Sequence, residues 1–346
     1  MDCGLDLNAL PIYDIVDFLF SPSEGTSELT IRCYGKQFHI RVLESNLEEN
    51  SEAKILYQDI CTRLECSKYT DINCDTDPME VLCFWIAYHC NPRMRELAPL
   101  DQTPINTLED WFTMETVFLT MCTNDSEVVA LESKPDPALI AGLVPRATVP
   151  SSAIERGLPV LHPSLVMLPP SDKSQHIRPT KVIFESKSWF FKSVHSSSKA
   201  NREIDALLRL RNLISTETCH FPVLRYLVMS PSDHDDICGF LLEHIEHRDS
   251  LGGIEIREQP LHVRVEWSKQ LTTGVRMLHE AGIVWGDVKP HNILVDMNNN
   301  LQIVDFGGGF TQGWVDEDKT ESIEGDRQGV LRILDFLEIG DHCLNF

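Results

Sequence analysis

The chain has 346 residues, 42% hydrophobic and 24% charged, and a net charge of −23. That length is enough for two domains, and the composition is that of a folded globular protein. An acidic chain without clustered Lys and Arg is expected to bind neither nucleic acid nor anionic membranes, and no run of about 18 apolar residues supplies a membrane-spanning helix.

Residues 1–134 hold 24 acidic and nine basic side chains, a net −15. The N-terminus, Met1-Asp-Cys-Gly-Leu-Asp6, has no basic region ahead of an apolar core, so no secretory leader is expected. Leu29, Ile31 and Cys33 alternate, Tyr34-Gly35-Lys36 turns, and Phe38, Ile40 and Val42 alternate again, which predicts a β-hairpin. Asp77-Pro78-Met79-Glu80 opens a helix with an N-cap, a first-turn proline and a reciprocal Glu. That helix is apolar on nearly every face from Val81 to Ala87 and should be buried. Thr107 with Asp110 opens another, expected to run through Trp111, Phe112, Phe118 and Leu119. The eleven cysteines have irregular spacing and no C-x-x-C pair, so they read as reduced, core-packed thiols of an intracellular, cytoplasmic protein. His39 and His89 read as packed or exposed side chains. Residues 1–131 therefore form an acidic α+β domain without a catalytic constellation.

Nine of the 19 prolines fall between Pro135 and Pro179. Proline blocks helix interiors and sheet ladders, so 132–164 is expected to be a linker. Beyond it, Lys181-Val-Ile-Phe184 and Trp189–Val194 read as strands around a polar turn, Glu185 to Ser188. A helix follows from about Lys199, with Ile204, Leu207, Leu208 and Leu210 as its apolar stripe and Glu203 on the stripe's edge. Cys238–Leu242 is an apolar strand ending in Glu243-His244-Ile245. Val263 to His279 is an amphipathic helix with Trp267, Leu271, Val275 and Leu278 on one side, and it leads into Trp285-Gly286-Asp287.

The most informative stretch is Ile283-Val-Trp-Gly-Asp-Val-Lys-Pro-His-Asn-Ile-Leu-Val295, followed by Ile303-Val-Asp-Phe-Gly307. Phosphoryl transfer to a hydroxyl needs a carboxylate to orient the attacking oxygen and accept its proton, and Asp287 suits that task. Lys289 would offset charge on the transferring phosphate. Asn292 and Asp305 would offer oxygens to Mg²⁺, a hard cation. Lys192 on its strand would contact the nucleotide phosphates, with Glu203 fixing its ammonium. Leu242 would line a pocket for adenine, and the backbone of Glu243 to Ile245 would bond the base.

Residues from about 165 to 346 resemble a protein kinase, of the divergent small kinase-like type abundant in fungi. Asp287-Val-Lys-Pro-His-Asn292 is similar to the Ser/Thr-type catalytic loop, and Asp305-Phe-Gly307 to the metal-binding loop. Gly325-Asp-Arg-Gln-Gly329 resembles the start of the large lobe's central helix, with Asp326 buttressing the catalytic loop. The resemblance implies a bilobal α+β domain with a reduced helical lobe: a small lobe at about 165–247 and a large lobe at about 248–346. It implies ATP and Mg²⁺ as cofactors, transfer to a Ser/Thr hydroxyl, and a protein substrate or partner. The chain departs from the pattern in three places. No G-x-G-x-x-G precedes Lys192, Trp285-Gly286 stands where His-Arg is usual, and no Ala-Pro-Glu follows Asp305. Two other readings stay open: a pseudokinase scaffold that binds nucleotide or a protein, and a small-molecule phosphotransferase. The second shares Gly286-Asp287 but does not place a Lys at 289.

Overall fold

The computed structural model describes residues 13–67, 77–98, 105–125, 127–170, 178–194, 196–211 and 221–339. The chain divides into two compact units, Met1–Val144 with Leu168–Pro179, and Pro145–Met167 with Thr180–Phe346.

In the first unit β1 (Asp14–Ser21), β2 (Thr26–Cys33) and β3 (Lys36–Leu43) form a meander. The expected hairpin is present: Tyr34 and Gly35 turn with φ of 51° and 74°, and Cys33 pairs with Lys36. Helices α1 (Glu52–Ser67) and α2 (Pro78–Leu97) follow. Asp77 caps α2 by accepting from the Met79 amide, and Leu82, Trp85, Ile86 and Cys90 are buried. The Thr107 capping box forms, yet α3 stops at Leu108–Phe112. Phe118 and Leu119 lie instead on a strand, β4 (Thr116–Asn124), which pairs parallel with β3 and antiparallel with β5 (Glu127–Glu132). The β-branched run Thr116-Val117 and Thr120 favours the pleated form there. His39 is buried and bonds Thr30 at 2.9 Å, and His89 packs on Trp85 and Tyr88. Burial pushes the thiols of Cys33 and Cys83 up to about 12, and Cys33, Cys61, Cys83, Cys90, Cys122 and Cys238 are free thiols. Among the described residues no group of three or more His, Cys, Asp and Glu could hold a metal.

The proline-rich stretch carries structure of its own. After α4 (Pro137–Leu143), Pro145–Met167 belongs to the second unit. There β6 (Ala147–Thr148) pairs with β11 (Asp236–Glu243), and α5 (Ser151–Glu155) buries Ala153. Next, β7 (Val160–Leu161) pairs with β10 (Leu224–Met229). Two-residue strands fit between prolines where longer ladders do not. Strands β8 (Lys181–Phe184) and β9 (Lys187–Ser193) complete a six-stranded sheet in the order β7-β10-β11-β9-β8, with β6 on β11. The β8–β9 turn is shorter than expected: only Glu185 and Ser186 turn, with φ of 50° and 59°, and Lys187 already pairs with Phe184. Helix α6 (Ser197–Leu210) packs its stripe of Ile204, Leu207, Leu208 and Leu210 into this unit's core.

The second lobe of the unit holds β12 (His247–Ser250), α7 (Leu261–Glu280), β13 (Ile293–Asp296), β14 (Leu301–Ile303) and α8 (Ile323–Phe336). Trp267, Leu271, Val275 and Leu278 of α7 are all buried, as their spacing requires. Among the described residues, α7 and α8 are this lobe's helices, and no helix is long and apolar enough to cross a membrane.

Candidate active site

Strand β9 alternates, so Trp189 and Phe191 are buried while Phe190 and Lys192 face a cleft. Glu203 projects from α6 into the same cleft and is 4% exposed. The Lys192 Nζ lies 2.8 and 2.7 Å from the two Glu203 carboxylate oxygens and 2.9 Å from Asp305 Oδ1. Burial opposes the ammonium charge, but the two carboxylates outweigh it and raise the Lys192 pKa. Burial pushes the Glu203 carboxyl up. Burial also disfavours the Asp305 charge, yet the Lys192 ammonium prevails and holds that carboxyl below its usual range. Lys187, at the start of the same strand, lies 4.5 Å over the Trp189 ring.

The loop after α7 delivers a second cluster. Asp287 Oδ2 is 2.8 Å from Lys289 Nζ and 3.0 Å from Asn292 Nδ2, and that same amide donates to the Asp287 carbonyl at 2.9 Å. Asn292 thus spends its N–H₂ on Asp287, which turns its carbonyl oxygen toward other partners. Thr311 joins them: its hydroxyl donates to Asp287 Oδ1 at 2.8 Å and accepts from Lys289 at 3.0 Å.

Below this loop Asp326 is 1% exposed. Its oxygens accept the Trp285 and Gly286 amides, both at 2.8 Å, and lie 2.8 Å from His279 Nε2. The Trp285 indole donates to the carbonyls of Val304 and Asp305 at 3.0 and 3.1 Å, which ties the two loops together. Asp305 itself sits at φ 64°, a left-handed conformation that Asp tolerates better than most residues.

Two adjoining cavities share Lys192, Glu203 and Asp305. One, of about 280 Å³, is lined also by Phe190, Leu242, Glu243, Ile245, Asn292 and Leu294. The other, of about 300 Å³, adds Asp287 and Gly307 to Gly309. Eight of the nine residues singled out in the sequence line these two cavities, and Lys289 contacts Asp287. The Glu243 amide donates to the Val223 carbonyl at 3.0 Å, and the Glu243 side chain pairs with Arg225. The Ile245 carbonyl lies 2.8 Å from His247 Nδ1.

Residues 175–328 match the family model described as the protein kinase domain. The chain carries a protein-kinase-like domain. Curated relatives point the same way. Over 89 residues, 24% of each chain, it is 33% identical to serine/threonine-protein kinase ppk34 of Schizosaccharomyces pombe. Over 74 residues it is 38% identical to the MAP kinase kinase kinase SSK2 of Saccharomyces cerevisiae, and over 82 residues it is 32% identical to serine/threonine-protein kinase PrkC of Bacillus subtilis. These stretches cover 20% and 22% of this chain, and 5% and 12% of the relatives. The chain thus spans a quarter or less of the length of these relatives. The kinase-like domain is bilobal, with the sheet of β6 to β11 as one lobe and the α7–α8 region as the other.

Motif spacing did not flag Thr311, Trp285 or His279. Thr311 lies in a glycine-rich stretch with no pattern. Trp285 reads in sequence as a lost imidazole, although an indole also carries a ring N–H donor.

Proposed function

We propose that the kinase-like domain transfers the γ-phosphoryl group of ATP, bound with Mg²⁺, to a Ser or Thr hydroxyl of a protein. The observation that carries this reading is the contact of Lys192 with both Glu203 and Asp305, beside the Asp287–Lys289–Asn292 cluster. Protein kinase domains in general use ATP and Mg²⁺ and act on proteins.

The donor set fits a magnesium ion. Asp305 has one oxygen engaged by Lys192 and a second to offer, and Asn292 offers its amide oxygen. Two protein oxygens with phosphates and waters are a common arrangement for Mg²⁺, which seldom sits in an all-protein cage. Held by Asp305 and Asn292, the ion would offset the charge of the phosphates. Lys192, held by Glu203, would bind the phosphates nearer the sugar. Leu242 and Ile245 would frame the base. Lys289 would steady the transferring phosphate. Asp287 would orient the acceptor hydroxyl and take its proton, while Thr311 and Asn292 hold that carboxylate still.

A binding-only scaffold has no need of all these contacts, and a small-molecule phosphotransferase does not require Lys289. The test separates binding from turnover. Asp287→Asn should leave the ATP-dependent rise in melting temperature nearly intact and cut phosphate transfer to a protein acceptor by about 10²–10⁴-fold. Wild-type protein that binds ATP with Mg²⁺ and transfers phosphate to no acceptor would overturn the reading.

A further inference from the structure

Successive residues on an α-helix project about 100° apart. On α6 this sends Glu203 to Lys192 and its neighbour Arg202 to a different target. The Arg202 guanidinium donates from Nη2 to the Val284 carbonyl at 3.3 Å, and its Nη1 lies 2.7 Å from Glu321 Oε1. Between those partners it runs through a slot made by two glycines. A Cβ at Gly286 would meet Arg202 Nη2 at 2.6 Å. A Cβ at Gly308 would meet Nη1 at 2.1 Å and the Glu321 carboxylate at 2.5 Å. Both glycines have left-handed backbones, with φ of 90° and 73°, and Glu321 itself sits at φ 55°. A non-glycine residue in that conformation needs the surroundings to enforce it.

One side chain thus touches the residue two before Asp287's own neighbour Val288 on one flank, at Gly286, and the residue just past the Asp305-Phe306-Gly307 turn on the other. Through Glu321 it also reaches the start of α8, where Ser322 caps the helix and Asp326 supports the Asp287 loop. We propose that Arg202 is a positioning residue for phosphoryl transfer. It locks the Asp287 loop against the Asp305 loop, and Glu321 acts as a permanent counter-ion, so this order needs no added phosphate. The inference rests on the phosphotransfer reading given above.

An exposed ion pair on its own contributes little, and Glu321 is half exposed. Arg202 is different in kind. Its planar fork is held by a carbonyl and by the glycine slot as well as by Glu321. Removing Arg202 should therefore cost more than removing the Glu321 charge. Removing both should cost no more than removing Arg202 alone, because Glu321 would act only through the guanidinium.

The experiment uses the full chain. Hydrogen exchange is followed at residues 284–289 and 305–311 in wild type, Arg202→Met, Glu321→Gln and the double variant, with the strands at 26–43 as an internal reference. Arg202→Met should speed exchange in both loops by about tenfold, as for loss of a hydrogen-bonded charge. Glu321→Gln should do so less, and the double variant should match Arg202→Met. In the transfer assay kcat should fall by about tenfold, because the Asp287 carboxylate is no longer held in place. Phosphatase treatment of wild type should change neither readout. Should Arg202→Met fail to fold, Arg202→Lys carries the test: its compact ammonium cannot span Val284 and Glu321 together, so an intermediate effect is expected. Unchanged loop exchange, additive losses in the double variant, or faster exchange after phosphatase treatment would each overturn the proposal. If no acceptor is ever phosphorylated but the exchange pattern holds, it is the phosphotransfer reading that fails, and the lock between the loops stands.

Discussion

Asp326→Asn probes the support beneath the catalytic loop. The Asp326 carboxylate is buried and accepts two backbone amides at 2.8 Å from consecutive residues, Trp285 and Gly286. Hydrogen bonds to a charged group contribute about 1.5–3 kcal/mol each. Asparagine keeps one acceptor oxygen but turns an N–H₂ toward a second N–H donor, so one bond is lost and a buried donor is left facing another. The expected cost is about 3 kcal/mol, near the lower end of what breaking a buried charged contact costs. With a urea dependence of about 2 kcal/mol per molar, the unfolding midpoint should fall by about 1.5 M. Hydrogen exchange across a urea series reads the two units separately, through peptides from 261–336 and from 26–43. The shift should be confined to the first set. A shift below about 0.5 M, or an equal one in both sets, would refute the argument that this carboxylate holds the loop.

Asp305→Asn should abolish the Mg²⁺-dependent part of the melting-temperature rise with ATP, because it removes a charged oxygen ligand and half the countercharge on Lys192. Asp305 also gains folding stability from Lys192: its lowered pKa gives a contribution present above its ordinary value of 3.8 and lost as pH falls through the folded pKa, so Asp305→Asn should flatten the acid limb of stability of the second unit. Burial lowers the pKa of His39 and His89 from 6.5, so the first unit should be fully stable above that pH and lose stability as pH falls below it. Replacing His89 by Gln should reduce that loss in a denaturant series from pH 7.5 to 5.5. Trp285→Phe keeps the buried ring but deletes the indole N–H shared by Val304 and Asp305, so it should reduce turnover more than it lowers the melting temperature.

Strong periodicity and short fixed spacings made part of this molecule legible in its residues. The Leu29–Val42 hairpin, the buried stripe of α7 and the Asp287–Asn292 loop are all local, and each is written within about 20 residues. The helix expected through Phe118 shows where that stops. Its capping box is real, but the following run is too short for periodicity to tell helix from strand, and pairing with β3, 79 residues away at Gln37 and Thr116, decides it. Strand β10 is an apolar run too short for periodicity to tell strand from helix, and β6 and β7 are too short to show any pattern. In the site, Lys192, Glu203 and Asp305 were found because their residue types suit one chemistry. Arg202 could not be: its Val284 partner lies 82 residues away, and nothing in the spacing connects them.

The two shortest strands have a consequence for solubility. Residues 160 and 161 lie along β10, with the Leu227 amide bonded to the Pro159 carbonyl at 2.9 Å, and residues 147 and 148 lie along the start of β11. They blunt a sheet margin whose Leu227, Val228 and Ile237 are apolar and buried. The match to the kinase family begins only at residue 175. A fragment cut at that point would bare a row of unpaired backbone groups beside those side chains, an open template for a second copy to add its own strand. The prolines that punctuate 145–167 act as sentries at that margin: they let the chain cover the edge for two residues at a time and give an incoming strand no long ladder to extend.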